Sequence, residues 1–249
     1  MRIFVTGASG WIGSAVVPEL AGAGHQVTGL ARSDASAAAL AKAGAQVRRG
    51  SLDDLEVLRE AAAESDGVIH LAFRHDLSFS GNAPAAAEAD CRAVEAMGGA
   101  LAGSGRSLVI ASTLPPRPGQ VVTEQDDPEA GAAAQSGTPD RQDTARLTLS
   151  LAGSGVRSAV VRLPPTVHGE GDPWFMASLV GVARDKAASG YVGDGSNRWP
   201  AVHRLDAARL FRLAAEQAAA GSVLHAAADE GVPLRDISRR SSVSTWTSR

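Results

Sequence analysis

Three evenly spaced glycines near the amino terminus constrain this chain more than any other feature. Arg2–Thr6 is a short apolar run, Thr6-Gly7-Ala8-Ser9-Gly10-Trp11-Ile12-Gly13 follows it, and Trp11–Ala21 reads as a helix. A strand, a turn and a helix in that order give each glycine a physical task. Gly7 permits the tight turn, Gly10 lets the backbone approach a pyrophosphate, and Gly13 lets the helix pack closely on the sheet. Amides at the helix N-terminus then face an anion. The spacing is Gly-x-x-Gly-x-x-Gly rather than the general Gly-x-Gly-x-x-Gly. Three glycines alone would also fit a turn without a ligand. Their place between a strand and a helix, with a second strand about twenty residues on, favours the nucleotide reading.

The rest of the chain repeats the alternation. Strands are predicted over Gln26–Leu30, Ala45–Arg49, Gly67–Leu71, Ser107–Ala111 and Arg157–Leu163, and helices over Ala35–Ala43, Leu55–Ala63, Ala85–Ala102 and Arg141–Ala152. The strands are continuously apolar, so both sheet faces should be buried. The expected fold class is α/β: a doubly wound parallel sheet of Rossmann type with right-handed crossovers. Thr113–Pro139, with five prolines and the acidic cluster Glu124–Glu129, reads as a loop, as does Pro164–Pro173. Both follow strands and should lie at the carboxyl edge of the sheet, where such folds bind ligands. We expect 1–163 to form a dinucleotide-binding domain and 164–237 a small, truncated substrate lobe with elements returning to the sheet. Ser238–Arg249 lacks apolar periodicity and is expected to be a poorly ordered tail.

Composition removes several chemistries. The 249 residues are 44% hydrophobic and 20% charged with a net charge of −3, ordinary for a soluble globular protein. Without a basic block, nucleic acid is not expected as a partner. No apolar run approaches a membrane span, and the run before Gly7 is too short for a signal peptide, so a cytoplasmic protein is expected. Cys91 stands alone, which excludes an internal disulfide and a cysteine-rich zinc site; no metal is expected. There is one tyrosine, Tyr191, and two lysines, Lys42 and Lys186, so no tyrosine stands four residues ahead of a lysine.

The glycine turn resembles that of the short-chain dehydrogenase/reductase superfamily, in its extended or atypical branch of NAD(P)-dependent epimerases and dehydratases. The likeness runs from about Met1 to Pro233. It rests also on Val68-Ile69-His70-Leu71-Ala72, Val109-Ile110-Ala111-Ser112-Thr113, Arg162-Leu163-Pro164-Pro165-Thr166-Val167-His168-Gly169, Val192-Gly193-Asp194-Gly195 and Val202-His203-Arg204-Leu205-Asp206-Ala207-Ala208. The resemblance implies a dinucleotide on Gly7, Ser9, Gly10, Trp11, Ile12 and Gly13, with Leu71, Ala72, Phe73 and Pro164 lining the crevice.

The end of the second strand bears on which dinucleotide. An NAD site usually places an acidic residue there, whereas an arginine accommodates the 2′-phosphate of NADP. This chain has Arg32-Ser33, so NADP(H) is expected over NAD, Arg32 pairing the phosphate and Ser33 adding a hydrogen bond. A solvated surface arginine is the plain alternative. Ser51 stands where the family usually has an aspartate for the adenine amino group, with Leu52 expected against the ring.

The resemblance also implies a tyrosine–lysine pair that this chain lacks. Thr113, or its neighbour Ser112, matches the family's substrate-orienting hydroxyl. The helix near Pro139–Thr144 carries neither tyrosine nor lysine. His168 is the candidate substitute for proton transfer, with His75 and His203 as further loop histidines and Trp199 as a substrate-stacking candidate. Each also has a plain packing reading. Asp206 is expected to cap a helix over Ala207–Gln217. His25, His225 and Cys91 read as structural, Asp126-Asp127 as a solvated loop, and Trp174 as a second lobe aromatic. The leading function is an atypical reductase or epimerase/dehydratase-like enzyme acting on a small organic substrate. The alternative is a catalytically silent NADP(H)-binding redox sensor or regulator. The family usually continues beyond Pro233 to finish the substrate lobe, so a second copy covering exposed apolar surface, a homodimer, is a further expectation.

Overall fold

The structure is a computed structural model describing residues 1–115, 117, 119–126, 141–173 and 175–242. In chain order the elements are β1 (Arg2–Thr6), α1 (Gly13–Gly22), β2 (Gln26–Ala31), α2 (Asp34–Lys42), β3 (Gln46–Arg49), α3 (Leu55–Ala63), β4 (Gly67–His70), α4 (His75–Phe79), α5 (Ala83–Leu101), β5 (Ser107–Thr113) and α6 (Arg141–Ser150). They continue with β6 (Arg157–Leu163), β7 (Thr166–His168), α7 (Phe175–Lys186), β8 (Arg198–His203), α8 (Arg204–Gln217), β9 (Ser222–His225), β10 (Asp229–Pro233) and α9 (Leu234–Ser242).

Seven strands form one parallel sheet in the order β3-β2-β1-β4-β5-β6-β9, the doubly wound Rossmann-type arrangement. The chain leaves β1 toward β2 on one side and returns through β4 on the other, so the crevice opens at the carboxyl ends of β1 and β4. Burial explains the apolar runs. In β1, Ile3 and Val5 enter a core shared with Val16, Leu20 and Phe211, while Phe4 enters the opposite core with Leu58, Met97 and Leu108. Apolar residues on both faces of one strand leave no polar side for solvent. Arg162 on β6 is 2% exposed. It donates to the Asp126 carbonyl at 2.9 Å and lies 3.4 Å from His225, so the segment after β5 folds back over β6 and β9.

A second sheet, β10-β8-β7, lies in the C-terminal part. Pro164–Pro173, expected as loop throughout, contains β7, because the β-branched Thr166 and Val167 pair with Ala201 and Val202 of β8. The capping expectation at Asp206 is corrected. The helix starts earlier, at Arg204, and His203 caps it, its Nδ1 accepting the Leu205 amide at 3.3 Å. Asp206 sits in the first turn, where its charge complements the helix dipole. The stretch expected to be poorly ordered from Ser238 onward begins as the end of α9. Ser238 is buried there and donates to the Ser189 carbonyl at 2.7 Å. Residues 243–249 lie outside the described residues, as do Trp174 and Asp127. Among the described residues no helix is long and apolar enough to cross a membrane, and no cluster of side chains could hold a metal ion.

Candidate functional site

The glycine turn is held by its own backbone. Gly10 donates to the Gly7 carbonyl at 2.9 Å and Ser14 to the Gly10 carbonyl at 2.8 Å. Gly7 has φ of +66°, and a Cβ there would come within 2.6 Å of the Ala72 nitrogen, so the turn rests on the peptide leaving β4. A Cβ on Gly13 would overlap the Gly7 carbonyl oxygen. At Gly10 the nearest obstacle is that same oxygen at 3.1 Å. Ser9 and Gly10 are exposed. Ile12, the residue before α1, supplies no side-chain cap, and the first turn holds no acidic residue. Ser14, Ala15 and Val16 already donate to the Gly10 and Ile12 carbonyls, but among the described residues no acceptor meets the Trp11, Ile12 or Gly13 amide. These three are left for an anion, and the cradle fits a dinucleotide pyrophosphate.

Beneath this turn runs a buried polar chain. Thr6 Oγ1 lies 2.7 Å from His70 Nδ1 and accepts the Ala72 amide at 3.3 Å. His70 Nε2 lies 3.0 Å from Asp90 Oδ1, both side chains 1% exposed. Burial disfavours the Asp90 charge, yet the hydrogen bond and charge of His70, followed by the Arg141 charge and Thr144, keep its pKa below the usual carboxylate value. Asp90 thus reaches through His70 and Thr6 to the amide on which Gly7 sits.

The adenosine-side candidates divide. Arg32 is exposed at the end of β2 and forms no salt bridge among the described residues. The Ser33 hydroxyl completes a capping box with Ser36 at the start of α2. Ser51 donates its amide and hydroxyl to Asp54 at 2.7 and 2.9 Å and accepts from Asp53. Leu52 is 6% exposed and packs into the core with Phe4 and Leu58. The Trp11 ring is committed elsewhere: Nε1 donates to the Val167 carbonyl at 2.8 Å, and the Arg204 guanidinium lies 4.3 Å over its centre. It ties the glycine turn to the second sheet.

At the ends of β4 and β5 the structure assembles a group that sequence reasoning only partly named. Thr113 ends β5 with an exposed side chain, and Gln142 of α6 donates to its Oγ1 at 3.1 Å and its carbonyl at 3.2 Å. Ser112 is 1% exposed and points inward. Arg141, one residue earlier, stacks over Phe73 at 4.3 Å and donates to the Ala111 carbonyl at 3.3 Å. His75 stands edge-on to Phe73 at 5.1 Å and stacks on Phe79 at 5.5 Å. Burial, then the Arg141 charge, lower its pKa below 6.5. Leu71 is half-buried and Pro164 buried. His168 and His203 form a separate pair, edge to face at 5.4 Å between β7 and β8. Trp199 is half-buried on β8, opposite Val232 of β10. The Cys91 thiol lies 3.2 Å from the Thr144 hydroxyl, and burial pushes its pKa up, so it is a poor nucleophile.

The sequence profile of the NAD dependent epimerase/dehydratase family matches residues 3–228. The chain belongs to that family. An uncharacterized protein of Schizosaccharomyces pombe is 46% identical over 240 residues, spanning 95% of this chain and 78% of its own. A ketoreductase of Stigmatella aurantiaca acting on 4-hydroxy-2-methyl-3-oxo-4-farnesyl-3,4-dihydroquinoline-1-oxide is 28% identical, over 94% of this chain and 70% of its own. The fold of this family member is also that of dTDP-glucose 4,6-dehydratase from Bacillus anthracis, solved with NAD. The TM-score is 0.75 at 15% identity, covering 97% of this chain and 79% of that one. UDP-glucose 4-epimerase from Thermus thermophilus, also solved with NAD, gives 0.73 at 20% identity, covering 97% and 82%.

Proposed function

We propose that this member of the epimerase/dehydratase family binds NADP(H) across the carboxyl ends of β1 and β4 and acts as an oxidoreductase on a small organic substrate. The observation that carries the reading is the cradle at Gly7, Gly10 and Gly13, whose close approaches and whose Trp11, Ile12 and Gly13 amides, without an acceptor among the described residues, suit a pyrophosphate. Gly7, Ser9, Gly10, Ile12 and Gly13 would hold the phosphates. Arg32, exposed and unbridged among the described residues, supports NADP over NAD, since an unengaged guanidinium can take the 2′-phosphate with two parallel hydrogen bonds. Leu71, Ala72, Phe73 and Pro164 would line the nicotinamide end. Ser33, Ser51, Leu52 and Trp11 contribute through the local structure they brace.

A bound nicotinamide supplies or accepts a hydride. The chain itself contributes orientation. The Thr113 hydroxyl, with Gln142 donating to its oxygen, retains its own proton for a substrate oxygen. His168 is the proposed proton carrier from the lobe side, with His203 bracing its ring. A catalytically silent NADP(H)-binding redox sensor or regulator is the second reading, favoured by α6, which carries neither tyrosine nor lysine. A panel of ketones and aldehydes offered with NADPH separates the two. Substrate-dependent loss of NADPH absorbance supports the enzyme. Tight NADPH binding with no turnover across the panel supports the regulator.

A further inference from the structure

The guanidinium of Arg141 carries a charge that the described residues leave without an ion-pair partner. Its Nε is buried without a hydrogen-bond acceptor among the described residues, and its Nη2 donates to the Ala111 carbonyl at 3.3 Å. No described carboxylate lies within 4.0 Å of it. Burial pushes its pKa below the usual arginine value, and only the more distant Asp90 pushes it back. Arginine still keeps its proton inside proteins, so a cation stands in a half-buried place at an energetic cost that stacking on Phe73 offsets only in part.

We infer that Arg141 is the anchor for a carboxylate on the substrate, so that the molecules this site takes are carboxylate-bearing carbonyl or hydroxy compounds. Three observations point the same way. Arg141 and Gln142 are consecutive on α6 and reach the Ala111 carbonyl and the Thr113 hydroxyl, two residues apart on β5, so the cation and the hydroxyl stand at the same strand end. The guanidinium carbon lies 4.3 Å over the Phe73 ring centre, and a forked cation there offers two parallel N–H donors to a carboxylate. His75, held below its usual pKa, stays uncharged near neutral pH and adds no competing cation beside it. The inference rests on the proposed oxidoreductase function but is tested apart from it.

The test uses oxalate as the probe, titrated calorimetrically into the full chain before and after saturation with NADPH. Wild type, Arg141→Met and Arg141→Lys are compared, with inorganic phosphate as a second probe. Oxalate should bind wild type, and phosphate should bind it more weakly. Arg141→Met should weaken oxalate about tenfold or more while leaving NADPH affinity unchanged, and Arg141→Lys should fall between. Because no described carboxylate pairs with Arg141 within 4.0 Å, Arg141→Met should melt within about 5 °C of wild type. Equal oxalate binding by wild type and Arg141→Met overturns the assignment, as does tighter binding of phosphate than of oxalate. A fall in melting temperature of more than about 5 °C for Arg141→Met makes the arginine structural and overturns it too. Absence of NADPH binding would refute the functional reading alone, since oxalate binding to the unloaded chain still decides the role of Arg141.

Discussion

The Gln142 side-chain amide donates to the Thr113 hydroxyl at 3.1 Å, joining the first turn of α6 to the end of β5. With that oxygen accepting from Gln142, the hydroxyl proton is free for another acceptor, which in the proposed function is a substrate oxygen. Thr113→Ala should lower kcat about 10²-fold, the cost of removing one donor from a developing oxyanion, with NADPH affinity unchanged. His168→Ala should also lower turnover, by about 10²-fold or more if it carries the proton. Steady-state rates on any substrate found in the ketone and aldehyde panel check both. Unchanged rates in both variants would remove these residues from the mechanism.

Asp90 answers for stability and for the site together. His70 and Asp90 are both 1% exposed, so removing one partner leaves a buried polar group unpaired. Asp90→Ala should cost about 3–5 kcal/mol of folding stability, read by urea denaturation. Weaker NADPH binding should accompany it, since the chain through His70 and Thr6 ends at the Ala72 amide beneath Gly7.

Acid should weaken the fold through two histidines. Burial is the first cause of a lowered pKa at both His75 and His225. Below about pH 6.5 the unfolded chain takes up protons that the folded chain refuses, so stability falls as pH drops. Asp66, held down to about 2 chiefly by its hydrogen bond from Arg2, adds a loss only in a more acidic range. Urea midpoints should be flat above about pH 7.5 and decline toward pH 5. A His75→Gln, His225→Gln double variant should flatten that decline, and an unchanged slope would assign it elsewhere.

Local signals made the βα alternation and the glycine turn legible, because strands and turns declare themselves within a few residues. Gly7 is the clear case: strand before, helix after, and a positive φ that glycine tolerates. The second sheet was less visible, since β7 has three residues and pairs with β8 far along the chain. Side-chain commitments were least visible. Trp11 spans 156 positions to Val167, and Thr6 spans 64 to His70. Nothing near Trp11 in sequence announces that its ring braces the lobe. Likewise Asp206 looked like the cap of α8, but the helix starts two residues before it, at Arg204, and His203 takes the role. Nothing local in the sequence singles out Arg141 and Gln142, whose contacts, Phe73 after β4 and Ala111 and Thr113 on β5, lie far from them along the chain.

The most direct test of the account is calorimetric titration of the wild-type chain and Arg32→Ala with NADPH and NADH. Wild type should bind NADPH at least about tenfold tighter than NADH, a difference of about 1.4 kcal/mol. Arg32→Ala should lose that preference while keeping its NADH affinity. Failure of wild type to bind either dinucleotide would contradict the cradle, and tighter binding of NADH would contradict the role of Arg32.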